Sequence, residues 1–272
     1  MNLDNSKFDF LVDSHCHLNT IQKFGLDLEC VIKEANNTNV RVINNVCSKL
    51  SEFNDILEIS NKYKNVYCSV GLHPLELKEE KLPTVEEIIK FTKYKKVVGI
   101  GETGLDYHYA SETRKQQIQN FETHIEAARK TNLPLIIHSR NADNDMIDIL
   151  KSEMKNKEFS FVLHCFCSGE ELAKTGLDLG GYISLSGIVT FGKSVELRKI
   201  IKQVSLDRIL LETDSPYLAP EPKRGKTNQP VYVEYIAKYL GDFLNIPFKV
   251  VQQQTTKNVF TLFNKMGKNY EN

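Results

Sequence analysis

The sequence predicts an α/β chain folded as a closed (β/α)8 barrel of the TIM type, a single domain spanning residues 1–272. Three observations predict it. Eight short apolar, β-branched runs are spaced along the chain. The segments between them are long enough for one helix each, and several carry helical periodicity. The length of 272 residues is the usual size of one such barrel.

The eight runs, in order, begin with Phe10-Leu11-Val12-Asp13, Arg41-Val42-Ile43-Asn44, Val66-Tyr67-Cys68-Ser69-Val70 and Val97-Val98-Gly99-Ile100. They continue with Leu135-Ile136-Ile137-His138, Phe161-Val162-Leu163-His164, Tyr182-Ile183-Ser184-Leu185 and Arg208-Ile209-Leu210-Leu211-Glu212. Between them, Val85, Ile88 and Ile89 share a helical face, as do Gln117, Phe121, Ile125 and Ala128. Strands alternating with helices imply parallel β-α units, and eight units without a second cluster imply a closed barrel. From Val231 to the C-terminus the chain reads as helix, with Tyr232, Tyr235, Ile236 and Tyr239 on one face and Val259, Leu262 and Phe263 on another. The Pro-rich polar segment from Ala219 to Pro230 follows the eighth strand and is expected over the barrel mouth. No linker-like stretch and no repeat at a solenoid period divides the chain.

Composition excludes several classes. Lys plus Arg is 35 and Asp plus Glu is 35, so the net charge is zero and a polybasic nucleic-acid coat is ruled out. A phosphate can still be held by a local site. Hydrophobic residues make up 41%, too many for a disordered chain. No run approaches the roughly 20 apolar residues of a membrane span. The opening MNLDNSKFDF lacks the basic-then-apolar plan of a secretory signal. The six cysteines form no C-x-x-C pair and read as reduced thiols, so a cytoplasmic location without an obligate protein partner is expected. Strand alternation points Cys16 and Cys165 away from their histidine neighbours.

The chemistry-bearing residues lie where these strands end. His15 and His17 follow the first strand, and their i, i+2 spacing puts both imidazoles on one face of an extended chain. Glu102 follows the fourth strand, His138 ends the fifth, His164 ends the sixth and Asp214 follows the eighth. The C-terminal strand ends of a barrel converge on one mouth, so these six should meet. A lone His at a strand end is usually a hydrogen-bonded structural residue; six such groups at one end of five strands are not a chance arrangement. Imidazole and carboxylate suit Zn²⁺ and Mn²⁺, and carboxylate with water suits Mg²⁺. Six donors exceed the need of one catalytic ion and match two ions sharing a carboxylate. His73, at the end of the third strand, faces the same mouth. Arg140 and Arg224 are candidate phosphate partners, with Lys226 a weaker one. Tyr107 and Phe166 stand where an aromatic can stack on a base, although packing is the commoner role. His108 and His124 read as structural or surface residues.

The motifs together carry a family likeness. They are Asp13-Ser14-His15-Cys16-His17-Leu18, Gly71-Leu72-His73-Pro74 and Gly101-Glu102-Thr103-Gly104-Leu105-Asp106-Tyr107. Next come Pro134-Leu135-Ile136-Ile137-His138-Ser139-Arg140, Leu163-His164-Cys165-Phe166 and Glu212-Thr213-Asp214-Ser215-Pro216-Tyr217-Leu218, and the segment Arg224 to Pro230 closes the series. The chain resembles the TatD-like metal-dependent hydrolases, a branch of the amidohydrolase-type barrels, from about Val12 to about Phe263. The resemblance implies hydrolase activity and two divalent metal ions (Mg, Mn or Zn), several members being 3′→5′ exonucleases on single-stranded DNA. It implies His15, His17 and Asp214 on one ion, His138 and His164 on the other, and Glu102 as the bridge. The chain departs from the family pattern at Thr103, His108 and Cys167, none of them an expected ligand.

The function expected is therefore a deoxyribonuclease that cleaves phosphodiesters in DNA with a metal-activated water, with Asp214 and Glu102 as catalytic residues and His73, Arg140 and Arg224 as substrate contacts. The alternative is hydrolysis of a small amide, ester or lactone, or of an aminoacyl-tRNA ester. Barrel enzymes of the small-substrate kind often carry a carbamylated Lys where Glu102 stands here. A non-catalytic metal-binding barrel is the third reading, and it requires the open coordination positions to be blocked or a ligand to be lost.

Overall fold

The computed structural model describes residues 6–270. Its strands are β1 (Leu11–Cys16), β2 (Val40–Asn45), β3 (Val66–Val70), β4 (Val97–Asp106), β5 (Leu135–Arg140), β6 (Phe161–Leu163), β7 (Tyr182–Leu185) and β8 (Ile209–Leu211). They form one sheet in chain order, and the seven neighbouring pairs are all parallel. Among the described residues no regular ladder joins β8 to β1. The seam is instead bridged by single bonds: Ser14 Oγ donates to Leu211 O at 2.9 Å, Thr213 N to Asp13 Oδ1 at 2.9 Å, and Asp214 N to His15 O at 2.9 Å.

The helices are α1 (Leu18–Lys23), α2 (Leu28–Asn37), α3 (Phe53–Lys62), α4 (Val85–Thr92), α5 (Arg114–Thr131), α6 (Asp143–Asn156), α7 (Glu170–Asp178), α8 (Val195–Ile201), α9 (Val233–Leu244), α10 (Phe248–Leu262) and α11 (Asn264–Tyr270). Local chemistry starts some of them cleanly. Asp27 caps α2 through Glu29 N, and Thr84 with Glu87 forms a capping box on α4. The C-terminal stretch expected as helix consists of α9, α10 and α11. Asn245 adopts φ 56 and Pro247 follows, which ends α9. The last two residues of that stretch lie outside the described residues.

Strand alternation sorts the core into two layers. Leu11, Leu135, Ile137, Ile209 and Leu211 face the helices, whereas Val12, Ile136 and Leu210 face the barrel interior. The interior set packs with Val259, Leu262, Phe263 and Met266 of the C-terminal segment. Thr256 Oγ1 bonds Phe10 O at 2.7 Å, so α10 closes the end of the barrel where the strands begin. The other end, where strands finish, is left for chemistry.

β1 and β4 run well past the apolar runs that mark them. β1 continues through His15, and β4 continues six residues past Ile100, so Glu102 lies within the strand and not after it. Gly101 and Gly104 make that continuation possible. Both have positive φ (125 and 141), and a Cβ would stand 2.6 Å from Ile136 O and 2.0 Å from His138 O. No helix among the described residues is long and apolar enough to cross a membrane.

Candidate metal centre

The six expected donors meet at the C-terminal mouth. Nε2 atoms of His15 and His17 stand 3.3 Å apart, and each lies 3.4–3.7 Å from Asp214 Oδ1. His17 Nε2 is 3.5 Å from Glu102 Oε1, and His15 Nε2 is 3.7 Å from Glu102 Oε2. His164 Nε2 is 2.9 Å from Glu102 Oε2 and 3.4 Å from His138 Nδ1. Glu102 thus stands between both histidine pairs. Its amide bonds Cys47 O at 3.1 Å and its Oε1 accepts from Ser48 Oγ at 3.1 Å, which fixes its direction. Backbone bends deliver the donors: the β1–β2 register shifts between Asp13 and Cys16, and Asp214 sits at φ 54.

Hydrogen bonds behind the rings decide which nitrogens are free. His17 Nδ1 lies 3.1 Å from Val46 O, so it carries the proton and Nε2 offers its lone pair inward. His138 Nε2 is 3.1 Å from the buried Asp106 carboxylate, which leaves Nδ1 facing His164. His164 Nδ1 lies 3.4 Å from Glu212 Oε1 without hydrogen-bond alignment, while Glu212 itself takes the Cys165 amide at 2.6 Å.

His73 differs. Its Nδ1 accepts the Leu75 amide at 3.1 Å, and burial pushes its pKa down to about 3. The ring is therefore neutral with its proton on Nε2, which points at Glu102 Oε2 from 3.9 Å. Although His73, Glu102 and His138 are close enough for a shared ion, His73 presents a donor and not a lone pair.

The donor set fits a divalent cation. Two imidazole nitrogens bound to one tetrahedral ion at 2.0–2.1 Å stand about 3.3 Å apart. The facing pairs His15/His17 and His138/His164 show 3.3 and 3.4 Å. Facing lone pairs repel unless a proton or a metal lies between them. Charge argues the same way. Among the described residues, the ion-pair partners of Glu102, Asp106, Glu212 and Asp214 are all histidines, and these carboxylates are 15% exposed or less. Buried negative charge without Lys or Arg calls for another cation. Burial alone would raise the Glu102 carboxyl, yet the imidazoles around it, His164 through a direct hydrogen bond among them, hold it well below the ordinary range. Burial likewise would lower His164, but Glu102 and Glu212 outweigh it and raise that ring well above its ordinary value. His164 Nε2 and Glu102 Oε2, 2.9 Å apart, mark a position where a metal would compete with a proton.

Beside the cluster runs an open groove of about 940 Å³, lined among others by Arg140, Asn141, Ser168, Phe191 and Leu218. Arg140 lies over the Tyr109 ring at 4.9 Å, and Arg224 lies over Phe191 at 4.0 Å. Both arginines therefore stand at the mouth, on the side of β5 and β7. The Ala219–Pro230 segment packs there too, through Glu221 N to Thr190 Oγ1 at 3.0 Å.

Phe166 is 4% exposed in the core, so that aromatic expectation is corrected. Tyr107 lines the groove, with its hydroxyl bonded to Asp145 at 2.5 Å and Arg114 over its ring. The aromatics exposed at the rim are Phe24, Tyr109 and Tyr217. Cys16 points away from the cluster as alternation requires, its Sγ 3.6 Å from Asn44 O. Cys165 does not face the helices: β6 ends at Leu163, the chain turns to φ 44, and the thiol meets Ser186 Oγ at 3.1 Å. All six cysteines are free thiols. The sequence reading gave no role to Asp106 or Glu212, although both stand in quoted motifs. Their contacts with His138 and His164 join residues 32 and 48 positions apart, which no local pattern reports.

His124 is structural. Its Nε2 accepts the Leu72 amide at 3.1 Å and its Nδ1 bonds Asn120 O at 2.7 Å, pinning the segment that carries His73. Burial lowers its pKa from 6.5 to about 4, against a smaller opposing effect of Asn120. On acidification the unfolded chain takes up this proton first. The stability that neutral His124 supplies is complete above pH 6.5, falls through the window and is gone below about pH 4. The loss should approach about 3 kcal/mol. A His124→Gln variant should lose less melting temperature than wild type between pH 7 and pH 4; equal losses would refute the assignment.

A parallel barrel with imidazoles and carboxylates gathered at its C-terminal mouth defines the class of metal-dependent hydrolases. The chain belongs to the TatD family: the family model for TatD related DNase matches residues 12–264. It is 45% identical to the uncharacterized metal-dependent hydrolase BU355 of Buchnera aphidicola subsp. Acyrthosiphon pisum, over 94% of this chain and 99% of that protein. It is 41% identical to the uncharacterized metal-dependent hydrolase YcfH of Escherichia coli K12, over 93% of this chain and 96% of that one. The crystal structure of YJJV, a TatD homolog from Escherichia coli K12, superposes with a TM-score of 0.87 at 26% identity, covering 94% of this chain and 99% of that one.

Proposed function

We propose that this metal-dependent hydrolase is a deoxyribonuclease, a 3′→5′ exonuclease on single-stranded DNA that works with two divalent cations, Mg²⁺, Mn²⁺ or Zn²⁺. His15, His17 and Asp214 would hold one cation, His138 and His164 would hold the other, and Glu102 stands within reach of both groups. The observation that carries this reading is the pair of facing ring nitrogens at 3.3 and 3.4 Å with one carboxylate between them. Two cations in such a site supply hydroxide at neutral pH and neutralise charge growing on phosphoryl oxygens.

The chain's own groups do the rest. Asp214, facing the same point as His15 and His17, accepts the proton of the attacking water. Asp106 and Glu212 orient His138 and His164 from behind. His73 directs its Nε2 proton into the site, where it meets Glu102 or a substrate oxygen. Arg140 and Arg224 hold phosphates of the strand beside the cluster, since a guanidinium matches phosphate oxygens in pairs. The guanidinium groups of Arg140 and Arg224 beside the cluster favour an anionic substrate over a neutral amide or lactone. The family's description as TatD related DNase supports DNA as the polymer.

The test is cleavage of a 5′-labelled single strand by metal-stripped protein with Mg²⁺ or Mn²⁺ restored. A ladder shortening stepwise from the 3′ end, and only with metal, is expected. Intact DNA beside folded, metal-loaded protein would overturn the substrate assignment and direct attention to small esters and amides.

A further inference from the structure

We infer that Phe24 and Tyr217 form a nucleobase-stacking platform at the rim of the metal cluster; this inference rests on the nuclease reading above. Large aromatic side chains are normally covered, because each exposes extensive apolar surface. Phe24 is 56% exposed and Tyr217 is 49% exposed. They are not isolated: their rings meet edge to face, with centroids 6.2 Å apart at 88°. The Tyr217 ring also stands 6.4 Å from the ring of His17. The platform is thus continuous with the expected metal ligands.

The backbone beneath both rings is tied down. Tyr217 N bonds Asp214 O at 3.0 Å, and Asn228 Nδ2 bonds Tyr217 O at 2.5 Å. Phe24 N bonds Thr20 O at 3.0 Å at the end of α1. The rings are exposed on rigid supports, so little ordering is lost when a planar group stacks on them. The occupant must share space with whatever lies at the cluster, one ring away. A nucleotide of the bound strand satisfies this: its phosphate lies at the cluster and its base reaches the rim. A protein covering the pair would also cover the cluster and block turnover. Stacking uses the face common to all bases, so the platform is indifferent to sequence and favours strands whose bases are unpaired.

The experiment compares two single strands of equal length and sequence, one with bases throughout and one lacking the bases of its last two 3′ nucleotides. In the wild type, kcat/KM for the complete strand should exceed that for the base-less end by about tenfold, mainly through KM. In Phe24→Ala and Tyr217→Ala the ratio should fall toward one. A ratio that survives in both variants overturns the proposal, even if both rates drop together as they would from misfolding. A wild-type ratio near one overturns it as well. A wild type that cuts neither strand yet hydrolyses bis(p-nitrophenyl) phosphate overturns the nuclease reading itself, and the platform with it.

Discussion

Replacing Glu102 with glutamine is expected to lower metal-dependent hydrolysis by about 10³-fold or more. The variant keeps the shape of the side chain and its bond from Ser48 Oγ at 3.1 Å. It removes the single charge that lies within 3.9 Å of His15, His17, His73 and His164. Both cation positions lose a donor at once, so the metal concentration needed for half-maximal rate should rise along with the loss in kcat. The substitution should not unfold the barrel, because the apolar layers lie nearer the strand starts and along the helices. A Glu102→Gln protein with wild-type turnover would mean that the activity measured comes from elsewhere.

Asp214→Asn should lower kcat by about 10²- to 10⁴-fold, the range of a lost general base. Its signature differs from that of Glu102→Gln. Among the described residues the ion-pair partners of Asp214 are His15 and His17, so the pair His138/His164 keeps its facing nitrogens and one cation should still bind. KM for the strand should change far less than kcat, because the arginines at the groove are untouched. If kcat is preserved and only metal affinity falls, Asp214 is a ligand without a role in proton transfer.

The barrel was legible because its signals are local. Apolar runs of four or five residues, separated by helix-length segments, name parallel strands without reference to anything distant. That the six expected donors come together was legible for a related reason: a barrel brings all strand ends to one mouth, so position along a strand becomes position in space. What escaped depends on contacts across strands or on local breaks in regularity. β4 runs past the apolar run that ends at Ile100, because Gly101 and Gly104 admit a strand that bends around Glu102. Cys165 turns inward because a positive φ ends the alternation that would have pointed it at the helices. The donor character of His73 depends on the Leu75 amide claiming its Nδ1. Phe166 and Phe24 are chemically identical in sequence; only the fold buries the first and leaves the second at the rim.

The central claim is that His15, His17, Glu102, His138, His164 and Asp214 together bind two divalent cations. Native mass spectrometry of metal-stripped protein titrated with Mn²⁺ tests it most directly, with a His138→Ala/His164→Ala variant beside the wild type. The account predicts two ions per wild-type chain and one per variant chain. Two ions retained by the folded variant, or none taken up by the wild type, would contradict it.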